Sequence, residues 1–268
     1  GNGVCRHHSR ADVLGVVRLT GPLAALQFLT RIPVRLRSAP SLAAAVVWFP
    51  TVGALIGAAV GGVGAGAWHL VPAPVAGALA VVVGLLITGA FHEDGLGDIA
   101  DAFGGGTTVE RRLEIMKDPR HGTYGVAAMS ASIVVRMIAL GSLPGPASLF
   151  AASGAAHTMG RATAVGLMAA LPLAGHPGLG SDYGRSTTRG TATVAVASAV
   201  AVTALAVGWW VGPLLVGCLA SAAAVGLLAH RKIGGISGDV LGACEQIAEC
   251  ACVVVLSGLA VDHPLWWA

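Results

Sequence analysis

The run His92-Glu93-Asp94-Gly95-Leu96-Gly97-Asp98-Ile99-Ala100-Asp101 is the most acidic stretch of the chain. Asp94, Asp98 and Asp101 recur at i, i+4 and i+7, which puts three carboxylates on one helical face. Like charges held so close call for a cation. Mg²⁺, which takes hard oxygen ligands from one or two carboxylates, waters and substrate phosphates, fits such a face. Asp94, Asp98 and Asp101 are the expected metal ligands, and His92 and Glu93 beside them are candidates for the base that takes a hydroxyl proton. Gly95, Gly104 and Gly105 leave backbone bare for a phosphate to approach. Arg111, Arg112, Lys117 and Arg120 follow as cations for phosphate oxygens. A solvated acidic loop would need no such register. Metal-assisted chemistry on a phosphate or diphosphate is the expectation.

The elements that position these groups are membrane helices. Of the 268 residues, 55% are hydrophobic and 11% charged, against roughly a quarter charged in soluble domains. Apolar runs of spanning length occur at 42–68, 74–91, 126–143, 147–171, 191–208, 212–229 and 246–261. They predict an all-α polytopic bundle of about seven transmembrane helices, with the acidic run emerging where the second ends. The shorter apolar stretch 19–34, bounded by Arg18 and Arg31, reads better as an interfacial helix than as a further span.

The sixteen Lys and Arg residues orient the bundle. Fourteen of them gather in the N-terminal segment (Arg6, Arg10, Arg18, Arg31, Arg35, Arg37) and in the connections after the second, fourth and sixth spans. The connections around Pro72, Pro144 and Pro213 carry none. Positive charge marks the cytoplasmic side. The chain divides into a basic interfacial segment, 1–38, and one bundle, 39–268, whose loops 92–125, 172–190 and 230–245 face the cytoplasm. The N-terminus lies on that side too.

The other loops hold weaker candidates: Asp182 and Arg185 in Ser181-Asp182-Tyr183-Gly184-Arg185-Ser186, and Asp239 at the end of a Gly-rich turn. Arg136 and Arg161 lie inside spans, where charge usually faces a cavity or a partner. Lining a substrate cavity is the expectation for both, with a buried ion pair as the alternative. In 107–118, Thr107 or Thr108 caps a short amphipathic helix with Leu113 and Met116 turned inward. The five cysteines show no metal-ligand spacing, and the net charge of +3 is too small to suggest nucleic acid.

FHEDGLGDIADAFGGG followed by ERRLEIMKDPRHGTYG resembles the signature of the cobalamin synthase family, also called adenosylcobinamide-GDP ribazoletransferase. ALQFLTRIPV at 25–34, WFPTVGALIG at 48–57 and GGISGDVLGACEQIAE at 234–249 fit the same family in order. Ala102 and Ser237 depart from the pattern, and neither removes a charged group. The resemblance implies an Mg²⁺-dependent enzyme of the cytoplasmic membrane with its active site facing the cytoplasm. Its substrates would be adenosylcobinamide-GDP and α-ribazole or α-ribazole 5′-phosphate, with GMP released. A homo-oligomer stays open. A CDP-alcohol phosphotransferase is the nearest rival, but no Ala-Arg pair follows Asp94-Gly95. A transporter would place its site near the bilayer midplane.

Overall fold

Small residues dictate how this bundle closes. On α3 (Phe49–Ala67), Gly53, Gly57 and Gly61 stack at intervals of one turn. They lie against the backbone of α8 (Pro146–Ala170), and a Cβ on Gly61 would stop 2.8 Å from the Cα of Phe150. In lipid, where water exclusion does not drive helices together, such close backbone approach is the main source of packing energy. α8 is accordingly the central post: it is buried along most of its length, from Leu149 to Met168.

The protein is represented by a computed structural model that describes residues 10–36, 41–174 and 179–267, the side chains of 10–19 and 179–181 excepted. Parts of the 1–38 segment and of the 172–190 loop lie outside the described residues. The remaining helices are α1 (Arg10–Leu29), α2 (Leu42–Val46), α4 (Ala73–Thr88), α5 (Phe91–Gly105), α6 (Val109–Ile115), α7 (Thr123–Gly141), α9 (Leu179–Ser186), α10 (Arg189–Val207), α11 (Val211–Ile233) and α12 (Gly238–Asp262). No strand occurs among the described residues; a single bridge pairs Leu173 with Ile236. The fold is all-α, as its sequence predicts.

Every apolar run is mostly helical, with 42–68 divided between α2 and α3 and 74–91 broken after Thr88, but their capacity to span differs. Among the described residues, four helical stretches are long and apolar enough to cross a bilayer: Phe49–Ala67, Thr123–Gly141, Arg189–Ile233 and Gly238–Asp262. A fifth follows if the bent pair Ala73–Thr88 and Phe91–Gly105 counts as one. The expected number of seven is therefore not met by length and composition alone. α8 carries His157 and Arg161, and α10 and α11 run together through the 3-10 turn Gly208–Trp210.

Hydroxyl caps set several helix starts. Thr108 accepts from the Arg111 amide (3.2 Å) and Ser237 from the Val240 amide (3.2 Å). Leu113 and Met116 of α6 pack against the core, as their spacing predicts. Cys218, Cys244 and Cys252 are buried free thiols within the bundle.

Candidate active site

The second span does not continue into the acidic run. Gly89 and Ala90 both adopt left-handed conformations (φ 69° and 56°), and α5 departs from α4 at 89°. Glycine in the left-handed region is a standard helix stop; alanine there is strained. Beyond the corner, α5 packs against α7 and α12. Glu93 and Asp94 fall in its first turn, where the helix dipole favours acid. α5 thereby acquires two faces with different chemistry.

One face is acidic and open. Asp94 is exposed and Asp98 largely covered, with side-chain exposures of 63% and 13%. His121, in the turn before α7, reaches both: its Nε2 lies 3.2 Å from Asp94 Oδ1 and its Nδ1 3.6 Å from Asp98 Oδ1. The Asp98 carboxyl is pushed up to about 7, first by burial and then by the nearby charges of Asp94 and Asp239, with His121 pulling the other way. Asp239 arrives through close helix contact: a Cβ on Gly95 would sit 3.0 Å from the Asp239 carbonyl. Gly95 thus admits α12 to the site.

Asp101 is turned to a different task. It accepts the backbone amides of Gly122 (2.6 Å) and Gly125 (2.9 Å), satisfying the first turn of α7. A Cβ on Gly125 would collide with that carboxylate. The face that is open to a ligand is therefore Asp94 and Asp98 with Asp239, and Asp101 holds the turn that delivers His121.

The opposite face of α5 is sealed. Glu93 Oε1 lies 2.6 Å from Nη2 of Arg136, whose Nη1 is 2.9 Å from Glu249 Oε1. Glu249 also meets His157 (2.8 Å) and Arg161 (3.1 Å). Arg161 pairs with Glu245, which approaches His92 at 3.4 Å. Arg136 and Arg161 are 4% and 2% exposed, so the expectation that they line a substrate cavity gives way to its alternative, a buried ionic network. His92 and Glu93 point into that network, away from Asp94, which removes them from reach of a substrate hydroxyl. His157, Glu245 and Glu249 place ligand atoms within 4.8 Å of one another, the spacing of a metal site. Arg161 Nη1 already contacts all three residues, so their charge is met without a metal.

The expected phosphate cations are mostly engaged. Arg111 pairs with Glu114 (3.0 Å), and Arg120 grips Asp118 (2.8 Å). That grip holds the Asp118 carboxyl down to about 2. Arg112 donates to the carbonyls of Lys232 and Thr107, tying α6 to the end of α11. Lys117 is exposed. Gly104 packs on the Tyr124 ring, and Gly105 has only Ile115 Cδ1 at 4.0 Å. On α9, Asp182 is half-buried and Arg185 exposed, while Tyr183 between them anchors the helix against Phe28 and Phe49.

Beside Asp94 and His121 lies a cavity of about 480 Å³, bounded by α1, the α4–α5 corner and α7. A second cavity, of about 660 Å³, sits among α8, α10 and α11 and has no acidic residue in its lining. The acidic face of α5 borders only the first of these two. Sequence reasoning missed His121 and Arg31 as members of this site. The available signals were a histidine in a Gly-rich turn before a helix and an arginine within ALQFLTRIPV.

A family profile described as cobalamin-5-phosphate synthase matches residues 21–257. A protein of Chlorobaculum tepidum named adenosylcobinamide-GDP ribazoletransferase is 38% identical over 258 residues, 92% of this chain and 98% of the relative. Proteins of the same name from Bradyrhizobium diazoefficiens (41% identical, 70% of this chain and 73% of the relative) and Vibrio cholerae (35%, 87% and 92%) also match. No solved structure matches. With the profile covering most of the chain, and these relatives aligned across most of it, the protein belongs to the cobalamin-5-phosphate synthase family.

Proposed function

We propose that this enzyme joins adenosylcobinamide-GDP to α-ribazole or its 5′-phosphate and releases GMP. The observation that carries the reading is the open acidic face of α5, with His121 between Asp94 and Asp98 beside a polar cavity, in a chain of this family. The donor types suit Mg²⁺: Asp94, Asp98 and Asp239 offer hard oxygens, and burial together with the charges of Asp94 and Asp239 raises the proton affinity of Asp98. Bound there, the metal would neutralise charge on the diphosphate oxygens. A ribose hydroxyl attacks the phosphorus on the aminopropanol arm. A new P–O bond forms, the diphosphate bridge breaks, and GMP leaves with the bridging oxygen. His121 is the group best placed to receive the hydroxyl proton, with the two aspartates orienting its ring. Asp101 keeps His121 in register through the amides of Gly122 and Gly125.

The reading further sets the acidic face in the cytoplasm, on the inner side of a multi-pass membrane protein. Support comes from the Lys and Arg distribution, which favours every second connection. Taking α8, α10 and α11 each as a crossing, with α3, α4, α7 and α12, gives seven. A single helix of the 45 residues Arg189–Ile233 would measure about 68 Å, over twice the roughly 30 Å hydrocarbon core.

Purified protein in detergent, given adenosylcobinamide-GDP, α-ribazole and Mg²⁺, should release GMP. Asp98→Asn should abolish that release while the protein stays folded and inserted. Near-normal turnover in this variant would remove the metal role.

A further inference from the structure

We propose that Arg31 binds a phosphate group at the cavity beside Asp94, which makes the run 25–34 a phosphate-recognition segment of the site. The inference rests on the reaction proposed above and names a binding subsite within it.

Most of the cations expected to meet phosphate are engaged elsewhere, Arg111 and Arg120 by carboxylates, Arg112 by carbonyls, Arg136 and Arg161 by the sealed network, while the exposed Lys117 and Arg185 do not line this cavity. Arg31 lines the same cavity as Asp94 and His121, is exposed, and forms no ion pair among the described residues. A guanidinium without an ion pair, lining the same cavity as Asp94, leaves room for an anion whose charge a metal held by Asp94 and Asp98 would also help to neutralise.

Local structure fixes the backbone and stem that carry that guanidinium. The Arg31 amide donates to the Ile87 carbonyl at 2.7 Å, pinning the end of α1 to the end of α4. Thr30 Oγ1 donates to the Leu26 carbonyl (2.7 Å) and accepts from the Ile32 amide (3.2 Å). Gln27 Nε2 closes the turn onto the Val34 carbonyl at 3.1 Å. The Arg31 stem then crosses the corner over Gly89, where a Cβ would lie 2.6 Å from its Cδ. Glycine at 89 therefore serves twice: it takes the positive φ of the corner and clears the path of Arg31. A solvated arginine would need neither the pinned backbone nor the cleared path.

Two phosphate sources fit this chemistry: the diphosphate of the activated substrate and the 5′-phosphate of the incoming nucleotide. The test measures calorimetric binding of inorganic phosphate and pyrophosphate to the full-length wild-type protein, Arg31→Gln and Arg31→Lys, each checked for helical content. Wild type should bind, Arg31→Gln should bind 10- to 100-fold more weakly, the scale of one charge-assisted hydrogen bond, and Arg31→Lys should fall between. Equal binding by wild type and Arg31→Gln, or no binding by wild type, overturns the proposal.

GMP release by the same proteins with free and 5′-phosphorylated α-ribazole then assigns the source. A loss in kcat/KM that is at least tenfold greater on the phosphorylated acceptor assigns Arg31 to the 5′-phosphate; equal losses on both assign it to the diphosphate. Wild type that binds pyrophosphate but releases no GMP from either acceptor refutes the proposed reaction and leaves the phosphate subsite standing.

Discussion

Replacing Arg136 with methionine should destabilise the bundle by about 3–5 kcal/mol, the range for removing one partner of a buried ion pair. Its two amino groups contact different carboxylates, Glu93 at 2.6 Å and Glu249 at 2.9 Å, and the side chain is 4% exposed. Methionine fills much of the volume, so the loss is electrostatic: Glu93 is left without its cation in a medium that cannot hydrate it, while Glu249 keeps Arg161 and His157. Arg136→Lys supplies one charge but not the fork, and should give up roughly 1.5–3 kcal/mol, one charged hydrogen bond. Adding Glu93→Gln to Arg136→Met removes the stranded charge and should recover about 1–3 kcal/mol as a coupling energy. Reversible unfolding in mixed micelles, followed by far-UV circular dichroism, measures all three. A loss below about 1 kcal/mol for Arg136→Met, or no coupling to Glu93, would refute the idea that this network fastens α5.

Three further outcomes follow from the geometry. Asp101→Asn leaves one carbonyl oxygen for the two amides of Gly122 and Gly125, so stability should fall by about 1–2 kcal/mol and exchange at those amides should quicken, read by hydrogen–deuterium exchange. Asp98, raised to about 7 by burial and by Asp94 and Asp239, keeps its proton in the folded state after an unfolded chain has lost it. Its contribution therefore makes thermal stability decline as pH rises from the ordinary carboxylate value of 3.8 to about 7 and then level off, and Asp98→Asn should flatten that segment of the Tm profile. Ala90→Gly relieves the left-handed strain but loosens the unfolded chain by a similar 0.4–1 kcal/mol, so Tm should barely move; a large rise would mean that the corner is more strained than its φ of 56° implies.

Helix positions and the acidic run are legible in the sequence because both are periodic. The aliphatic stretches have one fate in a bilayer, and the spacing of Asp94 and Asp98 survives as one face of α5. What the spacing could not tell is where Asp101 would point. Its carboxylate is claimed by amides more than twenty residues away, and no local pattern announces a turn such as Gly122-Thr123-Tyr124-Gly125 as the acceptor's partner. The bend at Gly89-Ala90 was hidden for a related reason: the apolar run reaches Phe91 without interruption, and the break depends on an alanine in a conformation that its type disfavours. Arg31 was in view as a boundary of an apolar stretch, and its membership of the site needed the pairing of its amide with Ile87 on a helix far along the chain.

The placement of Arg136 and Arg161 shows when charge inside a bundle does not mark a substrate path. Hydrocarbon forbids an unpaired ion, and a pathway is one way to supply a partner; three glutamates on two neighbouring helices are another. Here the second condition holds: α5 contributes Glu93, and α12 contributes Glu245 and Glu249 one turn apart. α5 is therefore clamped from the side opposite Asp94 and Asp98. Because Glu93 and Asp94 are adjacent in sequence yet face opposite ways, loss of stability and loss of turnover should separate between neighbouring residues. Glu93→Gln should weaken the fold and leave the residual folded protein with an intact acidic face, whereas Asp94→Asn should impair turnover in a protein of ordinary stability. If both variants lost turnover in proportion to folded protein, the two faces of α5 would not have separate roles.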